Sequence, residues 1–193
     1  MQDDGDDVGV DDALLDAARA GILAVGWRRS TLTDVARRAG VSRMTIYRRW
    51  PDMQSLLGGL MTREWGRLVP SPDPRLAPRE RIAEVVAATV TALRDDELFG
   101  KIRHVDPELL LPYLLDRRGR TQDALLSALE AAVSEGQAAG AVRQESPRLM
   151  ARAVLLATYG FVLSATTMTD RRGPGVQQLD AELRRLLDGY LAP

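Results

Sequence analysis

No cysteine occurs in the 193 residues, which excludes a disulfide framework, a thiolate nucleophile and a thiolate metal site, and fits a reducing compartment such as the cytoplasm. Histidine is almost as scarce: His104 stands alone, so no imidazole pair is available to hold a metal. Of the 26 basic residues only Lys101 is a lysine, a bias we read as genomic base composition, so arginine in preference to lysine at any one position means little. Long apolar runs are missing too. The longest uncharged stretch, Ala153 to Thr169, contains Thr, Ser, Tyr and Gly and falls short of the ~20 apolar residues a membrane span needs, which predicts a buried helix of a soluble protein. The opening MQDDGDDVGVDD has neither a basic n-region nor an apolar h-region and is not expected to be a secretory signal. Strand-like alternation and internal repeats are absent, and without strands no Gly-rich phosphate loop has its setting. Catalysis therefore has no support in the sequence, and no cofactor is expected.

The chain does have enough apolar residues, 45%, to bury a real core. Its formal net charge of -1 conceals a strong segregation. Residues 1–18 carry seven aspartates and no base, whereas Arg28, Arg29, Arg37, Arg38, Arg43, Arg48 and Arg49 between Trp27 and Trp50 face only Asp34. Apolar spacing is helical nearly throughout and predicts an all-α fold. Leu14, Ala18 and Ile22 mark a first helix that Gly26 ends. Four prolines in VPSPDPRLAP, Val69 to Pro78, mark a break, as does RRGPG near 173.

The basic segment TLTDVARRAGVSRMTIYRRW, Thr31 to Trp50, resolves into two short helices. Thr31 with Asp34 predicts a capping-box-like start, and Leu32, Val35, Ala36 and Ala39 form the buried side. Gly40 is placed to end the helix in the left-handed conformation. Ser42 caps the next helix at once, with Val41 and Ile46 as a hydrophobic staple, and Ile46 and Trp50 bury it. Arg43, Met44, Thr45, Tyr47 and Arg48 are left outward or at the margin. Two short helices around a glycine turn, the second with a cationic outer face, predict a helix-turn-helix whose second helix fits the major groove. An ordinary helical hairpin with a solvated Arg face is the bland alternative.

TLTDVARRAGVSRMTIYRRWPDMQSLL resembles the DNA-binding signature of the tetracycline-repressor (TetR) family of bacterial regulators, over about Asp11 to Leu57. The resemblance implies a homodimer with an N-terminal three-helix bundle, binding double-stranded operator DNA, and a C-terminal helical domain that binds a small-molecule effector. By position it implies base-edge contacts from Arg43, phosphate or thymine-methyl contacts from Tyr47, and phosphate contacts from Thr33, Thr45 and Arg49. Three residues depart from the pattern: Met44 stands where a small or polar residue is usual, Trp50 where Phe is usual, and Met53 where a phosphate-binding Lys is common. The acidic segment would repel phosphates, so residues 1–10 are expected to be a disordered tail pointing away from DNA, before a DNA-binding domain over 11–57 and a ligand-binding and dimerisation domain over 58–193.

In that larger body Ile82, Val85, Val86, Val90 and Leu93 form one stripe, and Leu125, Leu129 and Val133 continue a later helix. Small residues Ala153, Ala157, Gly160 and Ser164 recur at helical spacing, and Leu179, Leu183, Leu186, Leu187 and Tyr190 form an apolar face. Internal core and a two-fold four-helix subunit interface both account for these two helices; the resemblance implies the interface. Met61, Trp65, Arg103, His104, Tyr113, Tyr159, Phe161 and Thr166 are the candidates for an effector pocket, each also readable as core or, for His104, as a helix terminus. The stretch Leu56 to Val69, carrying Met61 and Trp65, is placed to report occupancy to the DNA-reading helices. A repressor released by an apolar or aromatic molecule is the first reading; a helical small-molecule binder or enzyme with a non-functional helix-turn-helix is the second.

Overall fold

A computed structural model of the chain describes residues 3–170 and 172–193, with side chains from Gly9 onward. The fold is all-helical: α1 Asp3–Val25, α2 Leu32–Ala39, α3 Arg43–Arg49, α4 Met53–Arg67, α5 Pro78–Asp95, α6 Glu97–Val105, α7 Leu111–Leu115, α8 Arg120–Ala138, α9 Pro147–Ser164 and α10 Val176–Leu191, with 3-10 turns at Trp27–Arg29, Pro107–Leu109 and Ala165–Met168. The acidic segment 1–10 lies partly outside the described residues; from Asp3 its backbone belongs to α1.

Two compact units result. The first takes the chain up to Gly66 together with Asp96–Thr121, and the second takes Arg67–Asp95 with Gln122–Pro193. Position 57/58 falls inside α4, and α6 and α7 group with α1 to α4. The reason lies in the core of the first unit. Leu14, Ala18 and Ile22 of α1 meet Leu32, Val35 and Ala36 of α2, Ile46 of α3, Leu56 and Leu60 of α4, and Leu98 and Ile102 of α6. Fully burying one such aliphatic side chain is worth ~1.5–3 kcal/mol, so the two α6 residues tie that helix firmly to this core.

In the second unit α10 packs on α5, and α9 on both. Leu183, Leu187 and Leu191 are buried there with Ile82, Ala87, Val90, Met150 and Val154. A buried ion pair crosses the α5–α10 seam: the Arg94 guanidinium donates to both oxygens of Asp180, at 2.8 and 2.6 Å, while the Thr91 hydroxyl adds a third bond at 3.1 Å. Among the described residues one segment, Pro147–Met168, is long and apolar enough by length and composition to cross a membrane; its Met150, Ala151, Val154 and Val162 are packed inside this unit.

Candidate nucleic-acid interface

Local chemistry sets the geometry of α2 and α3. The Thr31 hydroxyl oxygen accepts the Asp34 amide at 3.1 Å and caps α2. The reciprocal half of a capping box is replaced, because the Asp34 side chain is a methylene shorter than Glu: its carboxylate accepts the Thr31 hydroxyl at 2.7 Å and Arg37 at 3.0 Å. Gly40 ends α2 at φ 70°, with Gly40 N–H bonded to Arg37 O and Val41 N–H to Ala36 O. Ser42 then caps α3 by accepting the Thr45 amide at 3.1 Å. A seven-residue helix has little stability of its own, so this cap and the fully buried Ile46 hold α3 in place.

The outer face of α3 consists of Arg43, Met44, Tyr47 and Arg48, all exposed, Met44 by 79% and Tyr47 by 50%. Thr45 is half-buried and shares a hydroxyl bond of 2.8 Å with Ser42, while Thr33 stands half-buried in the first turn of α2. Ion pairing separates the arginines of this region. Arg28 meets Glu108 at 2.6 Å, Arg37 meets Asp34, and Arg49 meets Asp11 at 2.7 Å. Arg29, Arg38, Arg43 and Arg48 have no carboxylate partner among the described residues.

Arg49 is thus placed differently from Arg43 and Arg48. Its largely buried guanidinium binds Asp11 on α1, so it braces α3 instead of joining the exposed face. The departures at Trp50 and Met53 also have structural settings. A Cβ on Gly59 would lie 2.3 Å from the Trp50 ring, so the larger indole is admitted because α4 carries glycine there. Met53 is half-buried and packs against the core, contributing apolar contact there in place of a charge. Asp52 caps α4 by accepting the Ser55 amide at 2.7 Å; that bond and the Ser55 hydroxyl hold its carboxyl below the usual aspartate range.

The effector candidates divide between the two units. Met61, Trp65, Arg103, His104 and Tyr113 belong to the first, and Tyr159, Phe161 and Thr166 to the second. Met61 is buried, and Trp65 meets Phe99 edge-on with centroids 5.8 Å apart. Arg103 lies one turn beyond Phe99 on α6, and neither its Nε nor Trp65 Nε1, both buried atoms, finds an acceptor. His104 is exposed, with Nδ1 2.7 Å from Gly100 O at its own helix end. Tyr113 is half-buried beneath the Arg117 guanidinium, 5.5 Å from its ring centroid. The Tyr159 hydroxyl accepts from Gln122 at 2.6 Å, Phe161 is half-buried, and Thr166 is exposed.

The interface candidates also separate. Leu183 and Leu187 are buried inside the single chain against α5, so their burial needs no partner. Leu179 is half-buried, and Tyr190 is half-buried with the Arg143 guanidinium 4.6 Å above its ring. Leu186 is 60% exposed. On α9 Ala157 and Gly160 are exposed and Ala153 and Ser164 half-buried, flanked by Leu149 and by Leu156, which is 66% exposed.

Sequence patterning gave no sign of Asp106. This carboxylate is 1% exposed and accepts the Trp27 amide at 2.9 Å, joining the end of α6 to the turn that leads into α2. An Asp before Pro107 reads locally as a helix stop, and nothing local names a partner 79 residues away.

Residues 14–60 match the family described as bacterial regulatory proteins, tetR family. A helix-turn-helix-type transcriptional regulator of Mycobacterium bovis is 33% identical over 178 residues, 92% of each chain. The fatty acid metabolism regulator protein of Bacillus subtilis is 21% identical over 183 residues, 91% of this chain and 93% of that one. Among solved structures, the TetR family repressor AlkX of a Dietzia species, described as implicated in biodegradation of n-alkanes, has a TM-score of 0.63 at 20% identity, covering 92% of each chain, and shares the fold.

Proposed function

The chain belongs to the TetR family of bacterial transcriptional regulators, and from that premise we propose that it is a cytoplasmic homodimeric repressor, released from a palindromic operator by a small apolar or aromatic molecule. The observation that carries the DNA-reading part is the sorting of charge: Arg43 and Arg48 stand exposed on the capped α3 with no carboxylate partner among the described residues, although carboxylates neutralise Arg28, Arg37 and Arg49 around them. Arg43, at the first position of α3, reads a base edge, bidentate to guanine. Met44 and Tyr47 supply apolar and hydroxyl contacts, and Thr33, Thr45 and Arg48 meet phosphates. Arg49 keeps α3 in position.

Two-fold symmetric reading needs a dimer. The exposed stripe of Leu149, Leu156 and Gly160 on α9, with Leu186 on α10, supports these helices as its interface. For the effector, Trp65 Nε1 and Arg103 Nε support an apolar molecule that carries a hydrogen-bond acceptor. The association of the similar Bacillus and Dietzia proteins with fatty acid metabolism and n-alkane biodegradation favours an aliphatic body. Selection of bound sequences from random duplex DNA tests the proposal. A two-fold symmetric consensus is expected, and equal affinity for every duplex at moderate salt overturns it.

A further inference from the structure

Arg29 and Arg38 share the unpaired state of Arg43 and Arg48 but lie off α3. Exposure does not explain this. Arg28 and Arg37 are 73% and 75% exposed in their side chains and are paired all the same. Both residues border one groove of about 220 Å³ lined by the end of α1, the turn that follows it and Asp34, Val35, Arg37 and Arg38 of α2. Gly21, the exposed Val25 and the buried Val35 line it together with Ser30. The only carboxylate bordering it among the described residues, Asp34, is already engaged by Thr31 and Arg37. Ser30 and Arg38 close over Gly21: a Cβ there would stand 3.7 Å from Ser30 Oγ and 3.9 Å from Arg38 Nε, in ordinary contact with both. Arg29 and Arg38 thus border the groove beside the paired Arg37 with no free carboxylate among the described residues to balance them, and each carries planar donors suited to phosphate oxygens.

We propose that this groove is a phosphate site that takes a phosphodiester of the operator backbone outside the bases read by α3. The assignment rests on the DNA-binding reading above. The groove belongs to the same three-helix body as α3, and Arg29 immediately precedes the Ser30–Thr31 step into α2, which holds Thr33. Its contact anchors the body on the duplex and carries no base information.

The test uses the full chain and a duplex obtained by selection, with affinity measured by fluorescence anisotropy between 50 and 200 mM salt. One phosphate contact adds about 0.9 to the log-log salt slope, or about 3.5-fold of affinity over that range per protomer. The variant Arg29→Ala/Arg38→Ala is expected to lose that increment while selecting the same consensus, and Arg29→Lys/Arg38→Lys to retain most of it. Arg43→Ala, measured in parallel, is expected to keep the increment and lose base preference. A titration of DNA-free protein with inorganic phosphate separates the two sources of the same chemistry. An unchanged salt slope in the alanine variant overturns the proposal, whether or not inorganic phosphate binds. Failure of the wild type to select any sequence overturns the DNA-binding reading itself, an outcome distinct from either.

Discussion

Replacing Asp106 by alanine should damage the helix-turn-helix from the far end of α6. The Trp27 amide donates to Asp106 Oδ2 at 2.9 Å, and the carboxylate is 1% exposed, so Asp106→Ala leaves a partly buried donor without an acceptor. That costs about 1–3 kcal/mol. The neighbouring Arg28 adds little, because its Nε lies 3.8 Å from Asp106 Oδ1, its side chain is largely solvated, and Glu108 already holds it. Asp106→Asn keeps an acceptor oxygen and removes the charge, so it should cost under about 1 kcal/mol. Trp27, Trp50 and Trp65, the three tryptophans, all lie in the first unit, so urea unfolding followed by tryptophan fluorescence reports that unit. Equal losses for Asn and Ala, or none for Ala, would refute the claim that the amide bond is what Asp106 supplies.

Four other outcomes are expected. Arg43→Ala should reduce discrimination at one base pair of each half-site by about 1–3 kcal/mol, read by competition with single-base operator variants; Tyr47→Phe should weaken binding with less loss of preference. Leu156→Arg should yield folded monomers in sedimentation, whereas Leu183→Arg, at a site buried within the chain, should unfold the second unit; a Leu156→Arg dimer refutes the interface. Trp65→Ala should retain operator binding and alter the response to a fatty acid probe, measured as probe-induced loss of operator affinity. Asp52, whose carboxyl is held low by the Ser55 amide and hydroxyl, contributes stability above the ordinary aspartate pKa that disappears as pH falls through its lowered folded value; Asp52→Asn should remove that part of the acid transition in a pH melt series.

What was legible in the sequence was whatever is decided within one turn of helix. Thr31, Gly40 and Ser42 act on residues three or four positions away, and the structure has them in those roles. The all-helical class was legible for the same reason, since apolar spacing is local. Pairing across the fold was not. Arg49 and Arg48 are neighbours with the same chemistry, and only the approach of Asp11 from α1 takes Arg49 off the exposed face. The apolar stripe of α10 likewise has one signature whether it meets α5 or a second subunit. Leu183 and Leu187 turn out to meet the chain itself and Leu186 to face outward, because α5 covers one side of the helix only. The indole of Trp50 in place of Phe becomes intelligible through Gly59, nine residues on, whose missing side chain makes the room.

The grouping of α6 and α7 with α1 to α4 changes what an effector has to do. Trp65 of α4 packs on Phe99 of α6, Arg103 follows one turn later, and α6 runs out into Asp106, which holds the turn before α2. A molecule that accepts from Trp65 and Arg103 would therefore touch the helix whose end fixes the entry to the DNA-reading pair, inside one compact unit. Contiguity is not yet coupling: such a molecule lowers operator affinity only by the difference between its own affinities for the DNA-competent and DNA-incompetent arrangements. A difference of about 1–3 kcal/mol gives a ~5- to 150-fold effect, and linkage requires operator DNA to weaken the molecule's binding by the same factor. The Asp106–Trp27 bond, worth about the same amount, is large enough to be the element that the two ligands pull in opposite directions.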